Sequence, residues 1–179
     1  MSTSNATDRV VLLTGGTSGI GRSAATELAE RGWTVAVVGR DRTRGEAVAA
    51  EASSLSGAIR FHRADLATQS AVRSLATEVR DAYDRLDALV HNAGLSSSDR
   101  VETADGVERT LAVNHLAPYL LTHELLDVVR SSAPARIVTT SSELHRRATL
   151  DFDDLQFERD YDAVQAYSRS KLALTAFTL

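Results

Sequence analysis

Short apolar runs alternate with longer stretches of helical period from one end of this chain to the other, and few folds accept that alternation. Residues 10–14, 34–38, 59–62, 88–91 and 136–140 are predicted strands; the first and last are almost continuously apolar or β-branched, as strands buried on both faces are. Residues 20–30, 44–54, 70–83 and 104–129 place apolar side chains three and four apart, the spacing of an amphipathic helix. The order βαβαβαβαβ implies a parallel sheet of five buried strands, right-handed crossovers and helices on both faces. That is a doubly wound α/β fold, in which ligands bind outside the carboxyl ends of the strands. The 179 residues suit one domain, 1–179, since ~150 residues per domain is usual. No repeat, linker or low-complexity segment divides them, and the acid-rich stretch 151–162 reads as an exposed connection.

The loop after the first predicted strand is where such a fold holds a ligand. It reads "TGGTSGIG" at 14–21, with Gly15, Gly19 and Gly21 in the spacing G-x-x-x-G-x-G directly before a helix. Glycines permit a tight turn and a close backbone approach to a pyrophosphate, which rests on the free N–H groups and positive end of the helix dipole. A glycine-rich turn alone says only that a strand meets a helix. Here a strand precedes, a helix follows and a second strand ends about twenty residues on, the setting a dinucleotide fingerprint requires. Gly15, Thr17, Ser18, Gly19, Ile20 and Gly21 are therefore the expected cofactor contacts. The second strand ends "VVGRDR", with Gly39 and Arg40 where an acidic residue would bond the ribose 2′-hydroxyl of NAD. A guanidinium there offers a 2′-phosphate paired, charge-assisted hydrogen bonds, and Arg22, just past the last glycine, is placed to help. NADP is expected over NAD, with Asp41 leaving the NAD alternative open.

Composition closes off other functions. The formal charge is −4 and the arginines are interspersed with acids, so no basic face offers itself to a nucleic acid. No run approaches the ~18 apolar residues of a membrane span. The opening "MSTSNATDR" is polar where a signal peptide would be apolar, and a cytoplasmic protein is expected. Zero cysteines exclude disulfides, thiolate chemistry and sulfur-based zinc sites. The five histidines show no metal-ligand spacing, and Asp151, Asp153 and Asp154 lack a calcium-loop arrangement and read as solvated, so no metal is expected.

"TGGTSGIG", "HNAG" at 91–94, "VNH" around Asn114, "TTSS" at 139–142 and "YSRSK" at 167–171 occur in the order seen in the short-chain dehydrogenase/reductase family, which the whole chain resembles. Within that family, "GR" after the second strand, "LAVNHLAPYLLT" and the long interval between the serine and tyrosine motifs are most similar to the retinol dehydrogenase group. The resemblance implies a Rossmann fold and an alcohol, aldehyde or ketone substrate. It implies that Asn92, Ala93 and Gly94 line the cofactor, that Asp65 and the adjacent Leu66 contact its adenine end, and that Asn114, Ser142, Tyr167 and Lys171 form the catalytic set. Ser142 is preferred to Ser141 because the second serine of the pair is usually the active one. The resemblance also implies pairing of copies through the helices carrying Asn114 and Tyr167.

The chemistry of that set follows from the residues as well. Carbonyl reduction needs a hydride, which a nicotinamide supplies, and a proton for the developing alkoxide, which the protein must supply. A free phenol, with a pKa near ~10, is a poor acid at neutral pH, but a cation at ~4 Å and an effective dielectric of ~20 favours the phenolate by ~4 kcal/mol. Tyr167 and Lys171 stand four apart, so on a helix they share a face. Lys171 is also the only lysine among 20 basic residues. An ammonium is compact, with three rotatable donors that can bond ribose hydroxyls while its charge sits below a phenol; the broad guanidinium fork is the wrong shape. By itself Tyr-x-x-x-Lys is common in surface helices; its place after "TTSS" sets it apart.

Ser142 is expected to bond the substrate oxygen, with a turn or cap residue as the alternative. Asn114 interrupts a helical pattern that disfavours asparagine: it either bends the helix for a purpose, such as holding a proton-relay water, or is exposed. Asp65 is an adenine contact or a turn residue. His91, where the family commonly has asparagine, is expected to pack at the strand end. The family continues well past position 179, so the domain reads as truncated after the fifth strand and the start of the next helix, without its substrate-binding part. The expected function is an NADP(H)-dependent oxidoreductase with Tyr167 as general acid/base; the alternative is a cofactor-binding fragment or short form that binds without turnover.

Overall fold

The structure is a computed structural model and describes residues 9–179, so the polar opening stretch lies, apart from Arg9, outside the described residues. Five parallel strands, β1 (Val10–Thr14), β2 (Thr34–Gly39), β3 (Ala58–Arg63), β4 (Ala88–His91) and β5 (Arg136–Thr139), form one sheet in the order β3-β2-β1-β4-β5. The order changes direction between β1 and β4, the switch point beside which open α/β sheets bind ligands. The helices are α1 (Gly19–Glu30), α2 (Arg42–Glu51), α3 (Gln69–Ala82), α4 (Arg109–Leu111), α5 (Ala117–Ser131) and α6 (Ala163–Thr178).

Successive side chains of a strand point to opposite faces, and β1 divides its residues between two cores. Val10 and Leu12 pack with Val72, Leu75 and Val79 of α3 and Leu121 and Leu125 of α5. Val11 and Leu13 pack with Ala25 and Ala29 of α1 and Val48 of α2. Leu12 is fully buried, and cutting it to alanine costs about 2–5 kcal/mol for lost transfer and the cavity left behind. The sheet therefore has helices on both faces, as the alternating pattern requires.

Three expectations need correction. Among the described residues the fifth strand is not covered on both sides: β5 pairs with β4 alone, and Ile137 and Val138 are 36% and 48% exposed. The helix expected from 104 begins at Arg109, because the chain before it doubles back, with an antiparallel bridge between Glu102 and Glu108 and a left-handed Gly106 (φ 74°). Glu108 then caps the new helix through its carboxylate, which accepts from the N–H groups of Thr110 and Leu111 at 2.8 and 2.7 Å. After α4 the helix widens into a five-residue π turn, Ala112–Leu116, before α5. Finally, Asp154 is not simply solvated. Its carboxylate accepts from the N–H groups of Glu158 and Arg159, which together with nearby arginines holds it below the usual carboxylate range, so the 151–162 connection is internally tied.

Candidate active site

The sheet register sets the floor of the site. Thr14 pairs with Val38 on one side and His91 on the other, and His91 pairs with Thr139, so four strands end at one level. The loops leaving them surround a cavity of about 900 Å³. The Thr14 hydroxyl accepts from the N–H groups of Asn92 and Ala93, both at 3.1 Å, and Asn92 Nδ2 donates to the carbonyls of Thr14 and Gly15, both at 3.2 Å. Asn92 thus locks the glycine turn to the end of β4.

The turn itself needs glycine. Gly15 is left-handed (φ 71°), and a Cβ there would stand 2.8 Å from Ala93 Cα; on Gly21 it would stand 2.3 Å from the Gly15 carbonyl oxygen. These contacts bring α1 hard against β4's loop. A Cβ on Gly19 would meet nothing within 4 Å, and Ser18, the residue before α1, makes no side-chain bond to the helix. The turn therefore opens onto free space beside uncapped N–H groups with no acidic residue in the first turn. A dinucleotide pyrophosphate fits that cradle, because it accepts several hydrogen bonds and favours the helix's positive end.

At the end of β2, Arg40 lines the cavity, and no carboxylate among the described residues pairs with its guanidinium. Asp41 lines the cavity as well; it caps α2 by accepting from Arg44 N–H at 3.1 Å and pairs with the Arg44 side chain at 3.3 Å. Arg44 also lines the cavity. Arg22 does not; it reaches Glu51 of α2 at 2.6 Å. Asp65 is a turn residue, accepting from Ala67 N–H at 3.1 Å, and it lines the cavity beside Leu66.

The opposite end of the cavity belongs to α6. Tyr167 and Lys171 both line it, with Lys171 Nζ 5.7 Å from the centre of the Tyr167 ring. Lys171 is only 3% exposed, and this burial lowers its pKa below the ordinary lysine value. Its Nζ donates to the Thr140 carbonyl at 2.8 Å, leaving two N–H groups. A Cβ on Gly94 would come within 3.2 Å of that nitrogen, so glycine at 94 makes room for the ammonium.

Asn114 sits in the π turn and is fully buried, which disposes of the exposed alternative. Its Oδ1 accepts from Leu95 N–H, and its Nδ2 donates to the Leu95 carbonyl and to Ser170 Oγ, at 2.9, 2.9 and 3.0 Å. Both amide hydrogens are thereby taken. Ser142, preferred as the active serine, does not line the cavity but heads a short 3₁₀ turn, its hydroxyl accepting from Leu144 N–H at 3.3 Å; Ser141 lines the cavity and shares a hydrogen bond with Thr175 Oγ1 at 2.7 Å. His91 packs at the strand end as expected: it is 1% exposed, shares a 2.8 Å hydrogen bond with Thr122, and burial lowers its pKa to about 4.

Sequence reasoning missed Arg44 and Arg109 in the cavity wall. Arg44 carried a signal, since it stands in the first turn of the helix that follows Arg40. Arg109 carried none, because the expected helix start was misplaced.

A family model described as short chain dehydrogenase matches residues 9–179. Among curated proteins, retinol dehydrogenase 13 of Homo sapiens is 38% identical over 173 residues, 95% of this chain and 52% of its own length. Dehydrogenase/reductase SDR family member 13 of Bos taurus is 44% identical over 177 residues, 94% of this chain and 45% of its own. Among solved structures, a metagenomic short-chain oxidoreductase in complex with NADP superposes with a TM-score of 0.78 at 26% identity, covering 97% of this chain and 75% of that one. The RhlG/NADP active-site complex of Pseudomonas aeruginosa has a TM-score of 0.76 at 30% identity, covering 94% and 64%. The chain thus spans about half the length of the curated relatives it matches.

Proposed function

Because this chain belongs to the short chain dehydrogenase family, we propose that residues 9–179 act as a single NADP(H)-binding oxidoreductase domain that interconverts an alcohol with an aldehyde or ketone. The observation that carries the reading is Lys171, a buried ammonium fixed by Thr140 and accommodated by Gly94, one helical turn from Tyr167 in the wall of the cavity that the glycine turn also lines. Bound NADPH would supply the hydride for reduction, and NADP would accept it in the reverse direction.

The chain's residues do the rest. The uncapped start of α1 takes the pyrophosphate, and Arg40 with Arg44 takes the 2′-phosphate, while Asp41 in the same wall is the group that would favour a ribose hydroxyl. Asn92, Ala93, Gly94 and Leu66 line the path between the two ends. Tyr167 gives its hydroxyl proton to the substrate oxygen as negative charge develops there, and Lys171 stabilises the phenolate that remains. Its two unused N–H groups are available to ribose hydroxyls. Ser142 accepts from Leu144, so its own hydrogen is free for the substrate oxygen. Asn114 acts as a positioning residue, holding Leu95 and Ser170 on either side of the site.

Tyr167→Phe tests the reading. It should bind NADPH within about twofold of wild type and lose turnover of a panel of aldehydes and ketones by ~10²–10⁴-fold, the usual contribution of a positioned acid. Wild-type protein that binds NADPH but turns nothing over would favour a binding module instead.

A further inference from the structure

The proposed cofactor has two anionic places, and the cavity provides for both: the pyrophosphate at the start of α1, and the 2′-phosphate at Arg40 and Arg44. A further arginine lines the same cavity. Arg109, the first residue of α4, donates from Nη2 to Ser97 Oγ at 3.1 Å, and its Nε–H is buried without an acceptor. No carboxylate among the described residues pairs with it. The neighbouring Glu108 carboxylate is occupied, accepting from Thr110, Leu111 and the Tyr161 hydroxyl. A buried donor left unpaired is unusual in a native protein and calls for a partner.

The position of Arg109 indicates which partner. Val113, four residues on, lines the same wall, and the next residue, Asn114, is bonded to Leu95 and to Ser170, the neighbour of Lys171. Arg109 therefore belongs to the segment that is tied to the Tyr167–Lys171 end. Arg109 lines the cavity, and beyond the bond to Ser97 its guanidinium keeps N–H donors of the kind a carboxylate accepts.

We propose that Arg109 is a specificity-determining residue that recognises an anionic oxyacid group on the substrate, so that the site prefers carbonyl compounds carrying a carboxylate over uncharged ones. This rests on the oxidoreductase reading above. A lipid-like neutral substrate would leave the guanidinium desolvated and unpaired, which disfavours its binding.

The test compares 4-carboxybenzaldehyde with its neutral counterpart, methyl 4-formylbenzoate, in NADPH oxidation by the full polypeptide. Wild type should favour the carboxylate at least tenfold in kcat/KM. Arg109→Met and Arg109→Gln should bring the ratio to about one, and Arg109→Lys should restore part of it, which a merely structural role for the Ser97 bond would not do. Calorimetric titration of benzoate and benzamide into the NADP complex reads the same preference without turnover, so an inactive enzyme would sink the oxidoreductase reading and leave this one decidable. A wild-type ratio near one in both measurements, or a preference unchanged in Arg109→Met, overturns the proposal. So does an Arg109→Met protein whose main defect is NADP affinity, because the anion would then be the cofactor's own.

Discussion

Asn114 holds Leu95 by both polar atoms of its main chain, accepting from the N–H and donating to the carbonyl, each at 2.9 Å. With the third bond to Ser170, one buried side chain joins the loop after β4, the π turn and α6. Asn114→Ala leaves the part-buried Leu95 N–H and carbonyl without this partner, while Ser170 Oγ keeps its bond to the Tyr167 carbonyl. At about 1–3 kcal/mol for each unsatisfied group, with partial relaxation, the expected loss is about 1–4 kcal/mol by urea unfolding. A variant within half a kcal/mol of wild type would show that the junction is held by other contacts.

Lys171→Arg should keep the circular dichroism spectrum and lose ~10²–10³-fold in kcat. The broader head group cannot occupy the space between the Thr140 carbonyl and Gly94 while keeping its charge below Tyr167. Near wild-type turnover in a folded variant would make the single lysine an accident of composition.

Arg40→Asp should weaken NADP and relatively favour NAD, since it replaces an unpaired cation at the cavity wall by an anion that repels a 2′-phosphate. Fluorescence titration with both cofactors measures the ratio. If the ratio does not move, Arg44 carries the discrimination and Arg40 is only a surface residue.

His91 makes the fold acid-sensitive. Its pKa is near 4 when folded and 6.5 when free, so between those values the unfolded chain binds the extra proton and stability falls as pH falls. The interval corresponds to about 3 kcal/mol, fully present above pH 6.5 and gone by about pH 4. Replacing it in His91→Asn should flatten this part of the stability profile; an unchanged acid limb would assign it to the carboxylates.

Strand positions were legible because burial between two helical layers demands continuous apolar runs, and β1 and β4 begin and end where those runs do. Which strand lies at an edge was not, since Ile137 and Val138 read like core residues and only the sheet order exposes them. The glycine turn and the Tyr167–Lys171 pair were legible because both are local spacings. The Arg22–Glu51 ion pair was not legible because Glu51 lies on another helix, and no local pattern records a contact between elements. Arg109 was hidden for a similar reason: apolar periodicity runs smoothly through 104–108, and only the fold-back at Gly106 moves the helix start to the cavity wall.

The wide turn at Ala112–Leu116 works like a coupling between two gears cut to different phases. An α-helix turns about 100° per residue, and a π turn holds one residue more than that rhythm allows. Ahead of it Arg109 lines the cavity, as Val113 does within it; behind it, Ala117, Leu121 and Leu125 mesh with the sheet. Deleting one residue would let the turn close into regular helix and swing the forward half by about 100° against the half anchored in the core. Between Arg109 and Ala117, then, the number of residues is fixed more tightly than their identity.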